Sequence, residues 1–195
     1  MDHKINEMRL RLINEIDEER YQHTLGVMYT AASMAMCHGE DVNKAMIAGL
    51  LHDCAKCIPG AQKITMCEEQ SIAISEIERR NPGLLHAKLG TFLARERYGI
   101  KDCDILMSIE SHTTGRPGMS LLEKIIYISD YMEPGRKELP NMKDVRKLAF
   151  EDIDKCLFRI LRDSLIYLKS LNRAVDPATE QTYAYYRDVL KDKEV

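Results

Sequence analysis

The feature that most constrains the fold of this 195-residue chain is helical hydrophobic spacing, which recurs from one end of the sequence to the other. Apolar residues stand three and four positions apart, and the alternating β-branched runs that indicate strands are nearly absent. Helix caps and breakers such as Gly39, Asp41 and Pro134-Gly135 separate the apolar stripes. We therefore predict an all-α protein, built as a compact single-domain helical bundle.

Capping signals set the predicted helix boundaries. A first helix is expected over about residues 6–37 with a break near Glu18, and a second begins after Asp41 and carries His52-Asp53. Thr65-Met66-Cys67-Glu68 matches a capping box and predicts a helix start there. The later helices are expected at about 66–80, then before Gly99, after Asp102, after the capping box Ser120-Leu121-Leu122-Glu123, from Met142, over about 151–171 and from Asp176-Pro177.

Composition excludes several classes of protein. With 45% hydrophobic and 30% charged residues, the chain has the balance of an ordinary globular protein. Its net charge of -3 offers no basic footprint for nucleic acid, so no such partner is expected. No apolar run reaches the roughly 18 residues of a membrane span, and the N-terminus lacks a signal-peptide core. We expect a cytoplasmic protein whose six cysteines are reduced thiols.

The pair His52-Asp53 stands in an otherwise apolar run over residues 48–56. Neutral imidazole and carboxylate are good ligands for Zn, Fe, Mn and similar divalent ions. The helical spacing of Ile47 and Leu50-Leu51 indicates a buried face, so at least one member of the pair should point inward. A buried ionised Asp needs a partner, and a metal would serve.

Further candidate ligands lie on the apolar sides of separate predicted helices. A single His in such a place is more often a hydrogen-bonded core residue than a ligand. Several together change that balance, because helical bundles build metal sites from side chains on facing helices. The candidates are His23, His52, Asp53, His86, His112 and Asp130.

The order of these residues resembles the HD-domain phosphohydrolases, whose pattern is His, then His-Asp, then two further His, then Asp. More narrowly, the chain is similar to the YqeK-like branch, the symmetrical bis(5'-nucleosyl)-tetraphosphatases of bacteria. The similarity covers roughly residues 20–140. It rests on His23-Thr24-Leu25-Gly26-Val27, on Ala48 to Lys56, on His112-Thr113-Thr114-Gly115 and on Asp130 to Arg136.

The resemblance implies hydrolysis of diadenosine tetraphosphate, a small-molecule dinucleoside polyphosphate, to two ADP. It also implies one or two divalent transition metals, iron first, with Mn, Co, Ni and Zn as alternatives. His86 and His112 have two roles open to them: they bind a second metal, or they hold phosphate oxygens. The ligands implied for the primary metal are His23, His52, Asp53 and Asp130, with Asp53 bridging if a second ion is present.

Other residues are expected to contact phosphate. Lys56 follows Asp53 by three positions, which puts its ammonium on the metal side, and these two are the expected catalytic residues. Arg136 offers a bidentate fork for a terminal phosphate. Thr113 lies in the loop after His112, and Arg173 precedes the start of the last helix, which is a natural anion site.

Two alternative functions remain open at this point. The same metal site could act on another nucleotide, such as a nucleoside tri- or monophosphate, or the chain could be a nucleotide-binding regulatory module with little turnover. We expect one HD-type domain over 1–195, with the metal-binding core at about 18–136 and C-terminal helices at about 141–191. A homodimer is compatible with the sequence, which does not fix the oligomeric state.

Overall fold

The computed structural model describes residues 3–172 and 174–193, and it contains no strand within those ranges. The prediction of an all-α protein is confirmed. None of the described helices is both long enough and apolar enough to cross a membrane. In chain order the helices are α1 His3–Leu12, α2 Glu18–His38, α3 Val42–Leu51, α4 Gly60–Glu69, α5 Glu76–Arg80, a 3-10 helix Pro82–Leu85, α6 His86–Glu96, α7 Cys103–Ser111, α8 Leu121–Met132, α9 Met142–Glu151, α10 Ile153–Ser170 and α11 Pro177–Lys193.

Most of the predicted helix boundaries are confirmed. The side chains of Asp41 and Asp102 accept backbone N–H groups at the starts of α3 and α7. Ser120 and Glu123 close a capping box at the start of α8. Gly39 ends α2 with a φ of 75°, in the left-handed region that favours glycine. Local capping chemistry therefore sets several of the boundaries around the interior.

The capping box predicted at Thr65 is wrong. Thr65 lies inside α4, where its hydroxyl donates to a backbone carbonyl one turn earlier at 3.2 Å. The box in this region is formed by Ser75 and Glu78 at the start of α5. The helix expected over 66–80 is therefore two helices, and the left-handed residue Ser71, with a φ of 56°, lies in the gap between them.

The expectation that a helix carries His52-Asp53 is also wrong. Helix α3 ends at Leu51, His52 is its C-terminal cap, and Asp53 and Lys56 lie in the turns that follow. Neighbouring residues on a helix point about 100° apart. Because the chain leaves the helix here, both side chains face one interior point, and Nε2 of His52 lies 3.6 Å from Oδ2 of Asp53.

A close approach of α2 and α3 positions this turn. A Cβ built on Gly49 of α3 would lie 2.9 Å from the Cα of Met28 in α2, so only glycine fits there. Buried apolar residues surround the contact in a cluster that reaches from Ile5 in α1 to Tyr186 in α11. The packing of the core thus fixes where α3 delivers His52.

Gly49→Ala should lower the free energy of unfolding by about 1–3 kcal/mol, because the new methyl meets backbone atoms that cannot rotate away. Helix propensity alone would favour alanine by about 1 kcal/mol, so the expected sign depends on the contact. Urea unfolding followed by circular dichroism measures the change. Gly90→Ala in α6 is the matched control, since its nearest neighbour would be 3.5 Å away. Equal stabilisation of both variants would contradict the close contact.

Candidate metal centre

Side chains from five parts of the fold meet in the interior of the bundle. His52 and Asp53 are 0% and 2% exposed, which leaves their polar atoms no access to bulk water. The structure brings all six sequence-predicted ligands together. They are His23 from α2, His52 and Asp53 after α3, His86 at the start of α6, His112 at the end of α7 and Asp130 from α8.

Asp53 presents one oxygen to each of two groups of histidines. Its Oδ2 lies 3.6 Å from Nε2 of His52 and 4.0 Å from Nε2 of His23. Its Oδ1 lies 3.2 Å from Nε2 of His86 and 3.4 Å from Nε2 of His112. We call the first group, with Asp130, the His23 side of the centre and the second the His86 side. Asp53 faces both sides.

Asp130 completes the His23 side. Its Oδ1 lies 3.0 Å from Nε2 of His23 and 3.7 Å from Nε2 of His52. Ligand atoms within 4.8 Å of one another form two overlapping sets, which share His52. One set is His23, His52 and Asp130, and the other is His52, Asp53 and His112.

Three of the histidine rings are held by their own backbone. Nδ1 of His52, His86 and His112 lies 2.7, 2.5 and 2.7 Å from the carbonyl oxygen three residues earlier in the chain. Because a carbonyl only accepts, each Nδ1 donates the hydrogen and each Nε2 keeps its lone pair. This is the arrangement in which imidazole binds a metal through Nε2.

The donor atoms fit a divalent cation. Among the described residues, Nε2 of His23, Nε2 of His52 and Oδ1 of Asp53 are buried with no hydrogen-bond partner. Leaving such a group unsatisfied costs about 1–3 kcal/mol, and here lone pairs face lone pairs. A cation between them would satisfy every one. Imidazole nitrogen with carboxylate oxygen suits a divalent transition metal.

Ionisation states favour the same conclusion. In the metal-free protein, burial alone would raise the pKa of Asp53 and of Asp130, but protons on the neighbouring imidazoles outweigh it and hold both well below the usual range. Lys56 adds to this effect at Asp53. A bound cation would take the place of the imidazole protons. Burial lowers the pKa of His86 to about 4, although Asp53 opposes the shift. At neutral pH both carboxylates are ionised and His86 is neutral, as metal binding requires.

Lys56 and Thr113 lie beside the His86 side. Nζ of Lys56 is 3.5 Å from Oδ1 of Asp53 and 3.1 Å from Nε2 of His86. The Thr113 hydroxyl is 3.0 Å from Nε2 of His86 and 3.1 Å from Nε2 of His112. An ammonium and a hydroxyl donor therefore stand where an anionic ligand would approach the histidines.

Arg136 lies beside the His23 side. Its Nη2 donates to Oδ1 of Asp130 at 2.5 Å and its Nε donates to the backbone carbonyl of the same residue at 2.8 Å. The Arg136 side chain is 39% exposed, so part of it faces solvent. Arg173, the remaining sequence-predicted contact, lies outside the described residues.

Sequence reasoning missed two charged residues at the centre. Arg20 donates to Oδ2 of Asp53 at 2.9 Å, and Oε1 of the buried Glu133 lies 3.0 Å from Nδ1 of His23. Helical spacing gave a usable signal for each, since Arg20 is three residues before His23 and Glu133 three after Asp130.

Two clefts open on the centre and share Arg136. The first, of about 1020 Å³, is lined by residues that include Arg20, His23, Tyr29, Glu133 and Arg136. The second, of about 410 Å³, is lined by residues that include Lys56, His112, Thr113, Tyr127 and Asp130. A third space of about 940 Å³ continues from the second along Thr113, Tyr127 and Ser164.

A family model described as the HD domain matches residues 20–135, which contain every candidate ligand. The chain belongs to the HD-domain family. The symmetrical bis(5'-nucleosyl)-tetraphosphatase of Bacillus subtilis (strain 168) is 40% identical to this HD-domain chain over 169 residues, covering 87% of the chain and 90% of the relative. The protein of the same name from Staphylococcus aureus (strain NCTC 8325 / PS 47) is 32% identical over 179 residues, covering 90% and 91%.

A solved structure supports the same assignment. The crystal structure of a protein from Clostridium acetobutylicum, described as a predicted HD superfamily hydrolase involved in NAD metabolism, matches with a TM-score of 0.90. The two chains are 42% identical, and the match covers 94% of this chain and 96% of the other. The predictions of an HD-type helical fold and of a hydrolase are confirmed.

Lowering the pH from 6.5 to 5 should destabilise the metal-free HD-domain protein through His86. The pKa of this side chain is 6.5 when free and about 4 in the folded protein, so between these values the unfolded chain binds the extra proton. The contribution is complete above pH 6.5 and is lost as the pH falls, by about 2 kcal/mol at pH 5. Urea unfolding after dialysis against EDTA measures it. The His86→Gln variant has no titrating group at this position and should lose less free energy of unfolding. An equal loss in the two proteins would show that His86 is not the cause.

Proposed function

We propose that this HD-domain protein is a metal-dependent hydrolase that cleaves diadenosine tetraphosphate symmetrically into two ADP. The observation that carries the proposal is a cluster of imidazoles around Asp53 at the meeting point of two clefts, with Lys56 and Arg136 beside it. Relatives named symmetrical bis(5'-nucleosyl)-tetraphosphatases, similar over most of the chain, support the choice of substrate.

The ligands divide between the two sides of the centre. His23, His52, Asp53 and Asp130 would hold the primary metal, and His86 and His112 would hold a second metal or a phosphate oxygen. A bound divalent metal would lower the pKa of its bound water to about 7 and would neutralise a phosphate oxygen. His and carboxylate ligands accept Mn, Co, Ni and Zn as well as Fe, so the ligand types do not select one metal. We assign iron as the resident metal from the family resemblance.

The chain's own residues position the reaction. Oδ1 of Asp53 has no hydrogen-bond partner and can accept a hydrogen bond that orients the attacking water. Lys56 and Arg136 supply positive charge for the polyphosphate, one beside each side of the centre. The new bond joins the water oxygen to one central phosphorus, and the bond from that phosphorus to the oxygen it shares with the other central phosphorus breaks. The proton of the water passes to solvent, and each product leaves as ADP.

The two clefts provide space for both ends of the proposed substrate. A substrate with a nucleoside at each end needs space on both sides of the reacting phosphate. The cleft of about 1020 Å³ lies on one side, and that of about 410 Å³, continued by the third space, lies on the other. With one nucleoside in each direction, the polyphosphate would cross the metal centre.

Two broader features belong to the same proposal. The apolar cluster that reaches from Ile5 to Tyr186 supports one domain over residues 1–195. All six cysteines are free thiols, which supports a reducing cytoplasmic location.

A homodimer is retained as the oligomeric state to test, and size-exclusion chromatography with light scattering measures it directly.

Incubation of the Fe- or Mn-loaded protein with diadenosine tetraphosphate should give ADP as the sole nucleotide product, because attack occurs at the central phosphoanhydride. Anion-exchange chromatography separates ADP from ATP and AMP, the other possible products. ATP with AMP in equal amounts would contradict symmetrical cleavage. Faster turnover of a nucleoside tri- or monophosphate in a parallel panel would favour the alternative substrate class.

Asp53→Asn should lower kcat by a factor of about 1,000 or more while diadenosine tetraphosphate still binds, because both sides of the centre lose their shared carboxylate. Steady-state kinetics give kcat, and equilibrium dialysis gives the nucleotide Kd. Negligible and equal turnover in the wild type and the variant would instead favour the regulatory module.

Lys56→Ala should lower kcat/KM by a factor of about 100, because it removes a charge that faces the reacting phosphate. Lys101→Ala, an exposed lysine before α7, is the matched control and should retain wild-type kinetics. Initial rates over a range of substrate concentrations give kcat/KM for both variants. Similar losses in the two variants would remove Lys56 from the mechanism.

A further inference from the structure

Glu133 is a buried carboxylate that the proposed reaction does not use. It follows α8 directly and is 3% exposed. Its Oε1 lies 3.0 Å from Nδ1 of His23, and its Oε2 accepts the backbone N–H of Gly135 at 2.5 Å. Because an ionised carboxylate only accepts, Nδ1 of His23 donates the hydrogen and its Nε2 faces the metal centre with a lone pair.

The charge of Glu133 lacks the compensation that other buried glutamates have. Glu78 and Glu123 are also buried, and each pairs with a cation, Lys88 at 2.9 Å and Arg116 at 2.6 Å. For Glu133, no lysine or arginine pairs with the carboxylate anywhere in residues 3–172 or 174–193. An unpaired buried charge is costly, so a compensating positive charge is expected nearby.

One arginine, Arg146, donates to the backbone carbonyl of Glu133 at 3.5 Å and does not pair with its carboxylate, so His23 is the group through which the carboxylate can be compensated. His23 is the ionisable partner of Glu133, and the opposite nitrogen of the same ring faces Asp130 at 3.0 Å. A cation bound at that nitrogen would oppose the charge of Glu133 through the ring. The negative partner would in turn strengthen the nitrogen as a ligand.

The neighbouring helix leaves space for this carboxylate. A Cβ built on Gly26 would lie 2.3 Å from Oε2 of Glu133, so any side chain at this position would displace it. Gly26 lies three residues after His23 on α2. The same helix therefore supplies both the ligand and the space for the carboxylate that holds it.

The partner of Nδ1 distinguishes the two sides of the centre. On the His86 side both rings meet neutral backbone carbonyls, at 2.5 Å for His86 and 2.7 Å for His112. On the His23 side one ring meets an anion. Carboxylate partners of metal-binding histidines raise metal affinity, and losing such a partner typically costs 10- to 100-fold.

We propose that Glu133 is a positioning residue that makes the His23 side the high-affinity metal position, which fills before the His86 side. This inference rests on the metal ligands of the proposed function and is independent of its substrate. Gly26 is part of the same arrangement, because the absence of a side chain there leaves space for the Glu133 carboxylate.

The test is titration of EDTA-dialysed protein with Mn²⁺, with free Mn²⁺ measured by electron paramagnetic resonance and no nucleotide present. Glu133→Gln should weaken binding of the first ion by about 10- to 100-fold. Glu123→Gln removes another buried carboxylate and is the matched control, expected to leave this constant within twofold. His112→Ala removes a ring of the His86 side and should weaken binding of the second ion more than that of the first.

Gly26→Ala provides a second approach to the same carboxylate and should weaken the first constant as Glu133→Gln does. The double variant should be no weaker than Glu133→Gln alone, because both changes act on one contact. Circular dichroism checks that each variant is folded.

Unchanged first-ion binding in folded Glu133→Gln overturns the inference, and so does equal weakening in Glu123→Gln. If Glu133→Gln fails to fold, unchanged binding in Gly26→Ala overturns it in the same way. A protein that shows the expected metal constants but does not cleave diadenosine tetraphosphate would count against the proposed function alone.

Discussion

The position of the Asp53 carboxylate among four imidazoles is the constraint on which the rest of the structure depends. Each oxygen faces a different group of histidines, so the carboxylate must be central and withdrawn from water. Helix α3 therefore ends one residue before the pair, and Gly49 lets that helix approach α2 closely enough to deliver it. Helices α6 and α7 likewise have an end at this point, where each contributes a histidine.

The parts of the fold that could be predicted from sequence are those in which a local contact decides the outcome. Asp41 and the Ser120 box cap helices through bonds to residues two or three positions away, so the sequence contains the whole interaction. Thr65 shows the limit of that logic, because the same spacing also occurs inside a helix. The candidate ligands could be proposed from sequence because several imidazoles and carboxylates recur in separate apolar stripes and their order resembles the HD-domain pattern.

The remaining features depend on contacts between distant segments. Glu133 and Arg20 are charged residues of the kind that usually lies at the surface. Their helical spacing from Asp130 and His23 is a signal, but the packing of α2 against the end of α8 and the turn after α3 is what brings them into the centre. Gly26 and Gly49 lie within helices, where glycine has no local advantage. Glycine is required at these two positions because Glu133 and Met28 pack against them, and helical spacing does not reveal contacts with such distant residues.

The short bonds from Nδ1 of three histidines to carbonyls of their own helical turns have a consequence for metal exchange. A ring held by its own backbone keeps its direction whether or not an ion is present, so little conformational entropy is lost when one binds. The ligand cage is in this sense a property of secondary structure. Removal and replacement of the ion should therefore be reversible and should leave the direction of each ring unchanged.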